Sequence, residues 1–202
     1  RVVSLPLAPQ SVHIYHPDVE AALAGHSVEL VRAPAWGNTE LLLVAFLRAI
    51  AEAGRRFPAV DPKRLAIILS AHSLPTRIIA DGDPYERDFR ALATAVTDRL
   101  GDIGLAEATV CVAFQSEGKG GGEWLGPRLE DEMARLAAGG ARDLLIAPVG
   151  FVADHIETLY DIDIEAAAHA RRLGYRAFQR MAGMDLREDF IDALEAVARS
   201  LL

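Results

Sequence analysis

Five apolar runs alternate with helical patterns along this chain. The apolar runs cover residues 2–7, 27–31, 65–70, 109–114 and 144–149. Amphipathic helical patterns cover residues 39–53, 85–100, 127–138, 156–172 and 188–202. The last three apolar runs are continuous, as strands that are buried on both faces of a parallel sheet are. The alternation predicts βαβ units with right-handed crossovers, and hence an α/β layer sandwich of the Rossmann type.

Composition and charge narrow the class of protein. The chain has 202 residues, of which 51% are hydrophobic, so it can bury a sizeable core in one large or two small domains. Its formal net charge of -8 argues against nucleic acid as the main partner. No apolar run is long enough to span a bilayer. The single cysteine, Cys111, excludes an internal disulfide and a cysteine-ligated cluster, and a cytoplasmic location is expected.

Two histidines follow the ends of predicted strands. His72 comes just after the run 65–70, and His155 follows the run 144–149, with Glu157 two residues further on. Ligands bind at the carboxyl ends of the strands in open α/β sheets, and a histidine with a carboxylate there can bind a metal or transfer protons. Pro75 cannot donate to a sheet ladder, so His72 is expected in a loop beyond the strand. A loop histidine bonded to the backbone is the alternative.

Three carboxylates repeat at four-residue intervals in the predicted helix 156–172. They are Glu157, Asp161 and Glu165, and in an α-helix this spacing drifts by about 40° per step. A π-helical stretch, with its wider i→i+5 turn, would change that drift and bring the three closer to one line. Hard divalent cations take oxygen ligands of this kind, whereas a solvated acidic face is the commoner meaning of such a run. Asp154 is expected to cap the helix.

A glycine-rich segment, residues 115–127, follows the fourth predicted strand. It lacks both the Walker lysine pattern and the G-x-G-x-x-G spacing, so it indicates nucleotide binding only weakly. Its centre, 118–122, is typical of a flexible loop. Trp124 could either cover a flat apolar ligand or pack the loop down.

Taken together, these segments resemble the ferrochelatase family in their order and spacing. The matching segments are 70–75 (SAHSLP), 82–85 (GDPY), 115–118 (QSEG) with 124–127 (WLGP), 148–163 (PVGFVADHIETLYDID) and, near the start, 5–10 (LPLAPQ). Ferrochelatases insert Fe2+ into a porphyrin in a cleft between two Rossmann-like domains. The resemblance therefore implies a lyase of heme biosynthesis with parallel sheets flanked by helices.

The resemblance also implies a division into two domains, the first of them incomplete in this chain. Residues 1–31 with 179–202 would be the remainder of the first domain and a C-terminal helix. Residues 32–178 would be the second domain, which carries the histidine and acidic segments. Because Arg1 leads directly into an apolar stretch, a fragment or a processed form is expected.

Roles for individual residues follow from the resemblance. His72 would lie at the metal and the porphyrin nitrogens, and Glu157 would face it as the proton acceptor or second metal-handling group. Asp161 and Glu165 would continue a line of acids that guides metal in or protons out. The four residues implied to handle the metal are thus His72, Glu157, Asp161 and Glu165. The residues implied to bind the porphyrin are Trp124, Ser73, Gln115 and His155.

The resemblance is strongest to the soluble Gram-positive type of ferrochelatase, whose substrate is coproporphyrin III, with protoporphyrin IX as the second choice. It implies no cofactor beyond the substrate Fe2+, no iron–sulfur cluster, and an accessory divalent cation at the acidic helix. Implied partners are the two substrates and, transiently, neighbouring enzymes of heme biosynthesis. One alternative is a truncated chelatase-like module that holds tetrapyrrole or metal without turnover. Another is a cobalt chelatase, against which the segment 154–160 counts.

Overall fold

The elements are taken from a computed structural model that describes residues 1–59, 61–118 and 122–202, so the centre of the predicted flexible loop lies outside the described residues. The strands are β1 (Val2–Ser4), β2 (Leu30–Arg32), β3 (Leu65–His72), β4 (Thr109–Gln115), β5 (Asp143–Ala147) and β6 (Ala177–Arg180). The longer helices are α1 (Val12–Leu23), α2 (Glu40–Gly54), α3 (Thr76–Ala80), α4 (Tyr85–Asp98), α5 (Leu129–Ala138), a π-helix (Glu157–Ala166), α6 (Ala167–Arg172) and α7 (Glu188–Ser200). Two short 3₁₀ helices cover Pro62–Arg64 and Leu100–Ile103.

Both described sheets are parallel. Strands β1 and β2 form a two-stranded sheet, and the other four strands form a second sheet in the order β4-β3-β5-β6. Alternate residues of β3 enter two separate cores. Ile67 packs in the core that contains α2, α4 and α7, and Ile68 packs in the core that contains α5, the π-helix and α6. This arrangement confirms the predicted α/β fold with parallel sheets flanked by helices.

The end of β3 differs from the sequence-based expectation. His72 is the last residue of the strand rather than a loop residue, and it pairs with Gln115 of β4. The expectation was wrong because β4 continues to Gln115 and supplies backbone partners for β3 as far as His72. The amide of Ser73 donates a further hydrogen bond to the Gln115 carbonyl at 2.7 Å, and the chain leaves the sheet before Pro75.

Helices α1 and α3 and strand β6 were not predicted. Pro17 lies inside α1 and interrupts its helical pattern, and the helix buries only Val12 and His16. His16 is held by hydrogen bonds of 2.9 Å to the Ser4 hydroxyl and to the backbone carbonyl of Ala33. Because these contacts are polar, they add nothing to the repeating pattern of apolar residues by which a buried helix is predicted. Strand β6 has four half-buried residues at a sheet edge, too short a run to stand out.

The division into 1–31 with 179–202 and 32–178 stays a prediction. Both of its boundaries lie inside strands, β2 and β6, and α7 shares one core with α2. Among the described residues, none of the helices has the length and apolar character that a bilayer span requires. Cys111 lies in β4, and burial raises the pKa of its thiol to about 12, so it is protonated at neutral pH.

Candidate active site

The two histidine-bearing segments meet at the carboxyl end of the four-stranded sheet. His72 Nε2 lies 3.5 Å from Oε1 of Glu157, the first residue of the π-helix. His155 flanks the same carboxylate, with its Nδ1 3.9 Å from the other oxygen, Oε2. The three side chains are 31%, 41% and 37% exposed, in the order His72, Glu157, His155. The structure therefore brings these three side chains together on a surface that a ligand can reach from solvent.

The protonation geometry of His72 follows from its local hydrogen bond. Nδ1 of the ring is bonded to the backbone carbonyl of Ser73, and since a carbonyl oxygen only accepts, Nδ1 carries the hydrogen. In the neutral ring the lone pair is then on Nε2, the nitrogen that faces Glu157. A nitrogen in that state can accept a proton or ligate a metal ion.

The loop after β5 approaches β3 closely at Ser70 and Ala71 because residue 150 is a glycine. The Gly150 amide donates to the Ser70 carbonyl at 3.0 Å. A Cβ on Gly150 would lie 2.4 Å from the Cβ of Ala71, so any larger residue would push the loop away from β3. Beyond this point the ring of Phe151 packs 4.9 Å from that of His155. Because the loop lies this close to β3, the helix that follows it begins with Glu157 next to His72.

The helix that carries the acids is π-helical over Glu157–Ala166, the alternative that the four-residue spacing of the acids had raised. Its buried residues include Ile162 and Ala166, which pack into the core with α5 and α6. Asp161 accepts a hydrogen bond from the Ser116 hydroxyl at 2.5 Å, and Glu165 is exposed. Ser116 has a φ of 60°, in the left-handed region, which a sequence pattern does not reveal.

Asp161 and Glu165 line a cavity of about 330 Å³ between the end of β4, the start of α5 and the π-helix. Ser73 and Gln115, two of the predicted porphyrin-binding residues, line it as well. Both are buried and their polar atoms are engaged within the protein. Ser73 Oγ donates to the Leu125 carbonyl at 2.9 Å.

Gln115 links β3 to the π-helix. Its Oε1 accepts from the Ser70 hydroxyl at 2.9 Å, and its Nε2 donates to the backbone carbonyl of Glu157 at 3.4 Å. These hydrogen bonds give Gln115 a supporting position beneath the His72–Glu157 pair.

Trp124, another predicted porphyrin-binding residue, is half-buried. Its indole packs over Gly118, and a Cβ on Gly118 would lie 2.7 Å from it.

Asp154 does not cap the helix as expected. Its carboxylate accepts from both terminal nitrogens of Arg180, at 2.6 and 3.2 Å. The N-cap position is taken by Ile156, two residues beyond Asp154. Arg180 was missed in the sequence, since it lies 26 residues away from Asp154 and no local pattern joins them.

Within the residues that the structure describes, no group of three or more His, Cys, Asp or Glu side chains is arranged to hold a metal ion. His72 and Glu157 together present one nitrogen and one carboxylate. Such a pair can take up a proton or contribute two donors to an ion whose other ligands come from a bound molecule.

Comparisons with known proteins give one family. The Ferrochelatase family model matches residues 1–202. A ferrochelatase of Geotalea daltonii is 40% identical over 141 residues, 70% of this chain and 42% of the relative. Those of Herpetosiphon aurantiacus and Thermus thermophilus are 34% and 32% identical and cover 98% and 96% of this chain, against 65% and 61% of the relatives. The chain thus spans between 42% and 65% of the length of these three relatives.

A solved structure supports the fold. SirB from Bacillus subtilis with Fe3+ superimposes with a TM-score of 0.60 over 99% of this chain and 69% of that chain. The two sequences are 15% identical, so the likeness shows the shared fold alone.

Proposed function

Because this chain belongs to the ferrochelatase family, we propose that it carries the metal-inserting site of an enzyme that places Fe2+ in a porphyrin. The observation that supports the proposal most directly is the His72–Glu157 pair at the carboxyl end of β3, separated by 3.5 Å. The activity is a proposal, since the chain spans only part of the length of its relatives.

Metallation of a porphyrin has two requirements. Two pyrrole N–H protons must leave the ring, and the hydrated Fe2+ must lose its water ligands as the four ring nitrogens replace them. Nε2 of His72, which holds the lone pair in the neutral ring, accepts the first pyrrole proton and passes it to Glu157, and this half-exposed carboxylate releases it to solvent. The same pair then accepts and releases the second pyrrole proton. The same two groups can contribute ligands to Fe2+ while its water is exchanged for ring nitrogens.

The remaining acids extend this pair along the π-helix. Asp161 and Glu165 follow Glu157 at four-residue intervals and line the neighbouring cavity. We propose that they conduct protons or Fe2+ between solvent and the His72–Glu157 pair, and that they bind an accessory divalent cation. Because the three like charges repel one another, a bound cation would stabilise them.

The choice of porphyrin rests on sequence segments rather than on geometry. The segment 115–118, the short step from it to Trp124 and the segment 149–155 resemble the soluble Gram-positive type of ferrochelatase, and this resemblance favours coproporphyrin III over protoporphyrin IX. The predicted porphyrin-binding set stays part of the proposal, with Trp124 and His155 exposed enough to touch the ring and with Ser73 and Gln115 supporting the wall beneath it. A cytoplasmic location and transient contacts with other heme-pathway enzymes belong to the same proposal.

The test follows the loss of porphyrin fluorescence after anaerobic addition of Fe2+ to the chain. Removal of a general base typically lowers the rate by about 10²–10⁴-fold. We expect His72→Ala and Glu157→Gln each to slow metallation by a factor in this range. His26→Ala, which alters an exposed histidine on the loop between α1 and β2, is the control and should keep the wild-type rate. Equal rates for wild type and His72→Ala would remove the catalytic assignment. Porphyrin binding by wild type without fluorescence loss would instead support the binding module without turnover.

A further inference from the structure

Arg180, the last residue of β6, joins two points of the acidic segment. Its terminal nitrogens donate to both carboxylate oxygens of Asp154, three residues before the π-helix, at 2.6 and 3.2 Å. Its Nε donates to Oδ1 of Asp163, the seventh residue of the π-helix, at 2.8 Å. The arginine side chain is only 11% exposed. One guanidinium therefore spans the turn that contains Glu157.

Arg180 and Asp154 are themselves held in place. The Arg180 carbonyl accepts a hydrogen bond from the Arg56 side chain. The Asp154 amide donates to Oδ1 of Asp185 at 3.1 Å. A Cβ at Gly183 would lie 2.7 Å from the Asp154 amide nitrogen, so the segment after β6 fits tightly against Asp154. The Arg180–Asp154 pair is therefore held by neighbouring parts of the fold on both sides.

Arg180 also forms ion pairs with only some of the carboxylates in the acidic segment. Five carboxylates lie between residues 154 and 165, and Arg180 pairs with two of them, Asp154 and Asp163. The other three are not paired with Arg180: Glu157 faces His72, and Asp161 and Glu165 line the neighbouring cavity. Burial opposes the charge on Arg180, but its hydrogen bonds to Asp163 and Asp154 more than offset this, and its pKa stays above the usual value.

Contacts from outside the helix can stabilise a π-helix of this composition. Its wide turn is rare, and a run of like charges along it adds repulsion. A bidentate arginine pair supplies fixed geometry as well as opposite charge. We propose that Arg180 is a positioning residue that holds the π-helix in the register that places Glu157 beside His72. The proposal rests on the function proposed above only for its effect on catalysis, because the hold on the helix can be measured without substrate.

The test compares Arg180→Met with Arg187→Met in the full chain. Arg187 is a matched control, since it is 22% exposed and also bridges two carboxylates, those of Glu52 (2.7 Å) and Asp189 (3.0 Å), between α2 and α7. Hydrogen–deuterium exchange of residues 156–166, without porphyrin or metal, should accelerate in Arg180→Met and stay at the wild-type rate in Arg187→Met. Asp163→Asn keeps the Asp154 pair and should show a smaller acceleration, even where Arg180→Met folds poorly.

Steady-state metallation gives the second readout. Loss of a residue that orients a metal-handling group typically costs about 10–100-fold, so kcat of Arg180→Met should fall by that factor while the KM for porphyrin stays unchanged. Arg180→Lys should recover part of kcat, because an ammonium can pair with one carboxylate but cannot fork to two. The proposal is overturned if Arg180→Met and Arg187→Met show the same exchange in residues 156–166. An inactive wild type would refute the proposed function, while the exchange comparison would still decide whether Arg180 holds the helix.

Discussion

Tyr85 ties the backbone of the proposed catalytic histidine to the start of α4. Its hydroxyl donates to the His72 carbonyl at 3.0 Å, and its amide donates to Oδ1 of Asp83 at 2.8 Å. The side chain is 7% exposed, and burial raises the pKa of the hydroxyl, so it remains a donor throughout the working pH range. Tyr85→Phe therefore removes one hydrogen bond next to the site and leaves the packing of the ring in place.

The expected size of the effect follows from that single bond. A neutral hydrogen bond contributes about 0.5–1.5 kcal/mol to the free energy of unfolding, and an unsatisfied buried partner raises the loss to about 1–3 kcal/mol. A loss of about 1 kcal/mol lowers Tm by about 2–4 °C in a chain of this size. A displacement of about 1 Å at a catalytic group can cost about 10²-fold, so a smaller shift of His72 should lower kcat by about tenfold.

Tyr175→Phe is the matched control. Its hydroxyl also donates to a backbone carbonyl, that of Met133 at 2.8 Å, and its side chain is 8% exposed in the other core. Urea unfolding should show a similar loss of stability in both variants. Only Tyr85→Phe should slow porphyrin metallation, with KM unchanged. The positioning role of Tyr85 would be refuted by wild-type kcat in Tyr85→Phe, or by an equal loss of kcat in both variants.

Two further predictions concern the acids and the close approach at β3. Asp161→Asn combined with Glu165→Gln should raise the KM for Fe2+ and weaken divalent cation binding in calorimetry, since two carboxylates are lost; unchanged metal dependence would make these residues a solvated acidic face. Gly150→Ala would place a Cβ 2.4 Å from that of Ala71, so we expect about 1–3 kcal/mol less stability and slower metallation. Gly54→Ala, whose Cβ would meet a neighbour only at 3.8 Å, is its control, and wild-type metallation by Gly150→Ala would contradict the argument.

The strands that could be predicted were those whose signal is local. The cores of β3, β4 and β5 are continuous apolar runs, because helices cover both faces of their sheet. Their ends could not be predicted to the residue, since β3 extends to His72 only because β4 supplies partners that far. Strand β6 depends even more on its neighbour: its four residues are a strand because they pair with β5.

The residues of the candidate site also differ in whether a local sequence pattern reveals them. The proximity of His72, His155 and Glu157 could be predicted because the carboxyl ends of parallel strands lie at one edge of a sheet. Arg180 carries no such signal, as its partners Asp154 and Asp163 lie 26 and 17 residues away. The four-residue spacing of the acids allowed a π-helix, but that spacing is equally compatible with an α-helix. Two contacts to this helix, from Ser116 to Asp161 and from Arg180 to Asp163, come from residues outside it. We therefore expect the residues that favour the wider turn to include some that no pattern within the helix reveals.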